Sequence, residues 1–286
     1  MIFSPGGMSD KNRYILLNGT LLKAEEAVIP AVSAGLFYGA GCFETMLAID
    51  GRIQHADDHF ERFFRGIDYL RTQRNALPES HAIQDSLHQL IRRNGLEKGR
   101  GRVRLQYSLL ETSGYRSEKE AGHLLFGEAA PAVSSREPLS LTFTTVSTIS
   151  SKARPACLKL SNMLHYREAF RIAEESGYDD GILLSDMGAV AETSIANIFW
   201  KKENVFYTPS RSCNILPGII RNKLLNGLRC SYSVVETEAD PDVLMDADTV
   251  WVTNSIAGVR PVKQVGSRFF PEDEGLTKLL NSLVQE

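Results

Sequence analysis

Lys159 sits among apolar neighbours, Cys157, Leu158 and Leu160, near an expected strand-to-helix junction. Burial disfavours a charged amine, so a lysine desolvated this way sheds its proton more readily and can act as a nucleophile. The other reading is a surface lysine whose stem lies along apolar residues. Glu192 ends an apolar run and faces a turn before Asn197. A carboxylate there can keep a ring nitrogen protonated and make the ring an electron sink, or it can be a solvated loop acid. Pro217-Gly218-Ile219-Ile220 opens a helix, and the free N–H groups of its first turn favour an anion such as phosphate, as at every helix start. Thr253-Asn254-Ser255 offers hydroxyls at a strand end. Arg62 offers a planar fork that fits two phosphate oxygens, or an exposed ion pair with Asp58 four residues earlier. A lysine, a carboxylate and an anion-binding helix start between Lys159 and Arg221 point to a covalently held, phosphorylated cofactor.

Other chemistries fit the spacing less well. Gly39-Ala40-Gly41 is a G-x-G, but Glu44 stands where a dinucleotide fingerprint needs its third glycine and no βαβ unit surrounds it. These glycines read as permitting a tight turn. His55 and His59 lie four apart on an expected helix with no third ligand nearby, so no metal site is expected. The four cysteines, Cys42, Cys157, Cys213 and Cys230, form no C-x-x-C pair. They read as reduced thiols, each a small buried apolar group, in a cytoplasmic protein. A net charge of -3 gives no reason to expect nucleic acid or an anionic membrane as partner. No apolar run approaches the roughly 18 residues of a membrane span, and the start lacks a basic segment followed by an apolar one.

Two domains are expected from 286 residues with 43% hydrophobic content. Hairpins are predicted over 14–22, turning at Asn18-Gly19, and over 43–53, turning at Asp50-Gly51. Helical spacing of Phe60, Phe63, Phe64, Ile67 and Leu70 follows, then a helix over 79–93 and strands over 102–109 and 123–126. The Pro/Ala/Ser-rich stretch to residue 138 reads as a linker. The domains are therefore expected at 1–127 and 139–286, with 128–138 between them. In the second, a strand carrying Lys159 leads to a helix over 162–176 with Met163, Tyr166, Phe170 and Ala173 on one face. Strands over 181–184, 189–191, 196–200 and 205–208 precede a helix from Pro217-Gly218 with Ile220, Leu224, Leu225 and Leu228 inside. Strands over 233–237 and 249–253 and a helix from Glu274 complete an α+β chain.

In this order the motifs resemble the class IV aminotransferases, pyridoxal-phosphate enzymes of fold type IV. Tyr-Gly-x-Gly-x-Phe-Glu-Thr at 38–45 is similar to the family's N-terminal motif, and His59-Phe60-Glu61-Arg62 to its H-x-x-R. Lys159-Leu160-Ser161-Asn162 is similar to its K-x-x-N. Gly188-x-Val190-x-Glu192, followed by Asn197-Ile198-Phe199, is similar to its pyridine-nitrogen segment. Thr208-Pro209 with Leu216-Pro217-Gly218-Ile219-Ile220-Arg221, Asn254-Ser255 and Arg260-Pro261-Val262 is similar to its phosphate-cup and C-terminal markers. Two departures stand out. Ala40 stands in place of the aspartate of Gly-Asp-Gly, and where many members carry Arg-Gly and a carboxylate-binding arginine after the strand at 102–109, this chain reads Leu109-Leu110-Glu111-Thr112-Ser113-Gly114-Tyr115-Arg116, with Arg104 and Arg116 as alternative substitutes.

The resemblance implies a two-domain α+β enzyme of the D-amino-acid-aminotransferase-like fold, with pyridoxal 5'-phosphate between its domains and a homodimer as its assembly. It implies Lys159 as the Schiff-base lysine and proton carrier, and Glu192 with Asn197 at the pyridine nitrogen. Arg62, Ser255 and the Ile219 and Ile220 amides would hold the phosphate, and Tyr38, Phe43 and Arg104 would face a small amino substrate. K-x-x-N and the text of 196–209 look closest to 4-amino-4-deoxychorismate lyase, which releases pyruvate and leaves 4-aminobenzoate for folate synthesis. Branched-chain and D-amino-acid aminotransferases are the alternatives. The D-amino-acid enzymes share K-x-x-N, and Leu164 stands where the branched-chain enzymes are expected to carry a tyrosine. A non-catalytic ligand-binding homologue is the remote alternative, against which Lys159 and Glu192 speak.

Overall fold

Positive φ at Asn18 and Gly19 lets the first hairpin turn with the twist of its strands, β1 (Tyr14–Leu17) and β2 (Thr20–Lys23). The computed structural model describes residues 13–70, 77–112, 114–116, 122–133 and 137–285; the start of the chain and residues 134–136 of the expected linker lie outside that set. Two compact units divide the chain, one through Val133 together with Leu158–Asn162, the other comprising Ser134–Cys157 and Met163–Glu286.

The first unit continues with α1 (Ala34–Tyr38), β3 (Gly41–Ile49), β4 (Arg52–Ile53), α2 (Ala56–Tyr69), α3 (Ser80–Arg93), β5 (Arg100–Leu109) and β6 (His123–Pro131). Its antiparallel sheet runs β2-β1-β6-β5-β3-β4. Alternation along β5 buries Val103, Leu105, Tyr107 and Leu109 and turns Arg102, Arg104, Gln106 and Ser108 to the other face. Phe60, Phe63 and Ile67 of α2 and Ile83, Leu87, Leu90 and Ile91 of α3 are buried in the same unit. β6 reaches Pro131, so residues 128–131 of the expected linker are strand. Gly127 and Ala129 are too small to leave an apolar pattern that sequence reading detects.

The segment around Lys159 departs further from expectation. It is not a full strand: Leu160 makes a single bridge to Cys42, the Phe43 N–H donates to the Lys159 carbonyl (2.9 Å) and the Ser161 N–H to the Gly41 carbonyl (2.9 Å). Those bonds to β3 place it with the first unit, although its position in the chain suggested the second. Pairing across more than a hundred residues leaves no local signature.

The second unit holds β7 (Leu139–Ser147), α4 (Leu164–Glu175), β8 (Asp180–Leu184), β9 (Val190–Thr193), β10 (Asn197–Lys202), β11 (Val205–Pro209), α5 (Ile219–Arg229), β12 (Ser233–Thr237), α6 (Asp242–Met245), β13 (Thr249–Asn254), β14 (Gly258–Val265), β15 (Arg268–Phe269) and α7 (Glu274–Ser282). The strand order is β12-β11-β10-β13-β14-β7-β8-β9, with β15 on β14. β9 also pairs with β10, through Glu192 and Asn197, so six strands close on themselves. Ile198, Trp200, Val250 and Val252 enter one core, while Phe199 and Trp251 enter another with Ile220, Leu224 and Leu228 of α5 and Leu280 of α7. Strands buried on both faces read as continuous apolar runs, as 196–200 does.

On α4 the expected apolar face is corrected. Ala169 and Ala173 are buried, whereas Phe170 is 39% exposed. The helix lies so close to β8 that a Cβ on Gly181 would come within 2.5 Å of the Ala169 carbonyl oxygen. Only small residues fit that face.

Candidate active site

In the first unit, Lys159, Phe43 and Arg104 are brought together. The Lys159 amine lies 4.8 Å from the centroid of the Phe43 ring, and the Arg104 guanidinium carbon 4.0 Å from the same centroid. Arg104 Nη2 donates to Gln106 Oε1 (2.7 Å), and Gln106 Nε2 donates to Ser161 Oγ (2.7 Å). This chain of bonds ties the guanidinium to the residue two after Lys159. Burial, only partly opposed by Glu128, pulls the Arg104 pKa down, yet an arginine stays charged. Tyr38 ends α1, is 43% exposed and stacks on Tyr115 at 4.8 Å.

The two glycines of the N-terminal motif have a structural task here. Gly39 caps α1 at φ 64, and a Cβ on it would lie 3.1 Å from the Cβ of Asn162. On Gly41 it would lie 2.3 Å from the Tyr107 carbonyl oxygen and 2.8 Å from Ser161 Oγ. The K-x-x-N segment is seated against this pair.

Arg62 is not the exposed residue its local sequence allowed. It is buried, with Nε donating to Glu44 Oε1 (2.7 Å) and Nη2 to Glu44 Oε2 (2.8 Å). His59 Nδ1 bonds the same Oε2 at 2.7 Å. Burial alone would push the Glu44 carboxyl up; the Arg62 charge, its hydrogen bonds and His59 hold it at about 2 instead of 4.5. Burial likewise pulls His59 down from 6.5, so it is neutral near pH 7 and donates from Nδ1. His55 does not extend the helix; it caps α2 in the left-handed region at φ 52. Among the described residues no three His, Cys, Asp or Glu side chains are grouped to hold a metal.

Sequence reasoning missed the role of Glu44. A signal was available. His59 and Arg62 flank Phe60 and Phe63 on the buried side of α2, and a buried guanidinium beside a buried imidazole donor requires a buried anion.

In the second unit Glu192, 4% exposed, is the centre of a donor network. Asn197 Nδ2 donates to Oε2 at 3.0 Å, and the Leu216 N–H donates to both oxygens at 3.1 Å. The Tyr166 hydroxyl reaches Oε1 from α4 at 2.5 Å. The spacing of α4 by itself presents Tyr166 only as part of an apolar face. Asn197 continues the network: its Nδ2 donates to the Leu216 carbonyl (2.8 Å), and its Oδ1 accepts from the Gly218 N–H (3.1 Å). A Cβ on Gly218 would meet that Oδ1 at 2.3 Å, so glycine is needed for the approach.

Gly218 caps α5 with no side-chain hydrogen bond, which leaves the N–H groups of Ile219 and Ile220 at an uncapped helix start. Arg221 follows, fully buried, and its Nη2 donates to the Pro209 carbonyl and to Glu236, both at 2.7 Å, which anchors that turn. Ser255 begins a tight turn in which Asn254 Oδ1 accepts from the Ile256 and Ala257 N–H groups at 3.0 and 2.8 Å. The neighbouring Thr253 hydroxyl is buried with no partner among the described residues. An oriented carboxylate, an uncapped helix start and an orphaned hydroxyl suit a phosphorylated heteroaromatic ring with a basic nitrogen.

Of the cysteines, Cys42 and Cys213 are buried, but Cys230 is exposed, against expectation, because it lies in the turn that ends α5. Among the described residues no helix is long and apolar enough to cross a membrane.

Known proteins resemble the chain over most of its length. An aminodeoxychorismate lyase of Bacillus subtilis is 30% identical over 265 residues, covering 88% of this chain and 86% of that protein. A branched-chain-amino-acid aminotransferase of Pseudomonas aeruginosa is 27% identical over 277 residues, covering 91% and 87%. Among solved structures, the branched-chain aminotransferase of Thermoproteus uzoniensis with norvaline superposes with a TM-score of 0.86 at 22% identity, over 94% of this chain and 92% of that one. That likeness shows the α+β fold of type IV. The family profile for amino-transferase class IV matches residues 41–265, and the chain belongs to that family.

Proposed function

We propose that the chain is a 4-amino-4-deoxychorismate lyase that releases pyruvate and 4-aminobenzoate, the latter for folate synthesis. What carries the reading is the 30% identity to the Bacillus subtilis lyase over most of both chains, together with the text of residues 196–209. The cofactor is pyridoxal 5'-phosphate, which supplies an electron sink for the charge that develops at the substrate carbon bearing the amine.

The chain's own residues divide the remaining work. Glu192, held by Asn197 and the Leu216 amide, keeps the ring nitrogen protonated. The Ile219 and Ile220 amides, the Ser255 hydroxyl and Arg62 hold the phosphate, with Arg62 kept in orientation by Glu44. Elimination takes one proton from the amine-bearing carbon and gives one to the departing enolpyruvate; we assign both transfers to Lys159. Arg104, braced by Gln106 and the Phe43 ring, receives a substrate carboxylate, and Tyr38 borders the substrate.

The assembly is a homodimer in the cytoplasm. Val28, Ile29, Val32, Leu36 and Phe37 are exposed within ten residues of one another, a strip that a second copy would cover.

Holoenzyme mixed with 4-amino-4-deoxychorismate should yield pyruvate and 4-aminobenzoate in equal amounts, and Lys159→Ala should yield neither. If neither appears with the unmodified enzyme, while L- or D-amino acids plus 2-oxoglutarate give glutamate, the chain is an aminotransferase. A protein that takes up no pyridoxal phosphate would overturn the enzyme reading altogether.

A further inference from the structure

The function above asks one thing of Glu192 and leaves out the tyrosine that reaches it from another element. Asn197 and Leu216 are near Glu192 in strand and loop. Tyr166 comes from α4, where Ala169 and Ala173, three and seven residues on, are buried. Its hydroxyl lies 2.5 Å from Glu192 Oε1, and its ring rests against His165 with centroids 4.0 Å apart. Burial, and then the Glu192 charge, push the Tyr166 hydroxyl well above the ordinary tyrosine range, so it is a permanent donor.

The consequence concerns the plane of the carboxylate. The Leu216 N–H is shared between the two oxygens, and Asn197 binds only Oε2. The Tyr166 hydroxyl, arriving at Oε1 from a separate helix, restrains the carboxylate about its terminal torsion, which is otherwise broad and roughly two-fold. The geometry points to Tyr166 as a positioning residue that fixes the Glu192 carboxylate in the orientation the cofactor's ring nitrogen needs. This rests on the proposed role of Glu192. A hydrogen bond to a carboxylate from outside the immediate contact shell acts through that contact, as with groups that orient metal ligands.

The experiment compares wild type, Tyr166→Phe, Glu192→Gln and the double variant. Each is freed of cofactor, checked for its fold by circular dichroism, and titrated with pyridoxal phosphate. The absorbance spectrum of each loaded protein is then recorded from pH 6 to 9. Loss of one hydrogen bond to a charged group is expected to weaken cofactor affinity about tenfold in Tyr166→Phe and to shift its spectrum. In the Glu192→Gln background the same substitution should change neither, because two residues acting through one contact are not additive. Unchanged or tighter affinity in Tyr166→Phe, or an equal loss in both backgrounds, overturns the inference. A purely structural tyrosine would lower the melting temperature in both backgrounds and leave the spectrum alone. If Glu192→Gln itself leaves affinity and spectrum as in wild type, it is the assignment of Glu192 that fails.

Discussion

Replacing Glu44 by glutamine should be among the most damaging single changes in the first unit, although Glu44 is not assigned to touch cofactor or substrate. The substitution keeps shape and removes charge. Arg62 then stays buried beside a neutral amide, having lost the anion that took both Nε and Nη2. Removing one partner of a buried pair typically costs about 3–5 kcal/mol, and the lower end applies here because Asp58 still acts on Arg62. The depressed Glu44 carboxyl, held down by the same pair, gives a figure of similar size. A carboxyl held at about 2 instead of 4.5 contributes about 3 kcal/mol, by linkage at 1.36 kcal/mol per unit.

The sign follows from the direction of the shift. The unfolded carboxylate takes a proton before the folded one, so this stability is present above 4.5 and is lost as pH falls toward about 2. His59 acts in the same direction at higher pH, since its folded form resists a proton that the unfolded imidazole accepts below 6.5. Thermal melting of the cofactor-free protein at pH 7.5 should show Glu44→Gln lower by roughly 10 °C. Wild type should lose stability in acid more steeply than the variant. Glu44→Gln/Arg62→Met should recover part of the loss, because the stranded charge goes with its partner. A variant that melts within about 2 °C of wild type and keeps the wild-type acid slope would refute a buried Glu44–Arg62 pair.

Three further outcomes follow from other contacts. Gly218→Ala must displace Asn197 Oδ1, so cofactor affinity should fall while melting drops by about 1–3 kcal/mol equivalent; isothermal titration beside a melt measures both. Arg104→Leu should raise KM for the carboxylated substrate tenfold or more, about the value of a charged hydrogen bond, with a smaller change in kcat and an unchanged melting temperature. Native protein treated with a thiol reagent should react at Cys230, whereas Cys42, whose thiol is pushed up by burial, should react only on unfolding; peptide mapping after timed quenching decides this.

The elements that local sequence described well are those whose apolar period is strong. α3 falls within one residue of its expected bounds, α5 starts just after Pro217-Gly218, α2 buries Phe60, Phe63 and Ile67 as their spacing predicts, and both hairpins turn where Asn18-Gly19 and Asp50-Gly51 say they should. The misses have a common cause. β6 continues through Gly127 and Ala129, α4 faces its sheet with Ala169 and Ala173, and the Lys159 segment is held by bonds to Gly41 and Phe43. Small residues in close approach, and backbone pairing across long stretches of chain, leave little hydrophobic signal to read.

The candidate site divides along a similar line. Lys159, Glu192, Arg62 and Ile219-Ile220 stand out in the sequence because each belongs to a dense motif of fixed spacing. Their supports do not. Glu44 lies in a strand 15 residues before His59, and Tyr166 lies on a helix 26 residues before Glu192. Each supplies the buried partner that the motif residue requires: an anion for Arg62, a permanent donor for Glu192. Burying a charge requires such a partner, so a motif residue that the fold buries demands a second residue somewhere in the chain. Sequence can state that demand, as the His59 and Arg62 pair on an apolar helix face does. Only the fold says which residue meets it, and in this chain the answers are Glu44 on β3 and Tyr166 on α4.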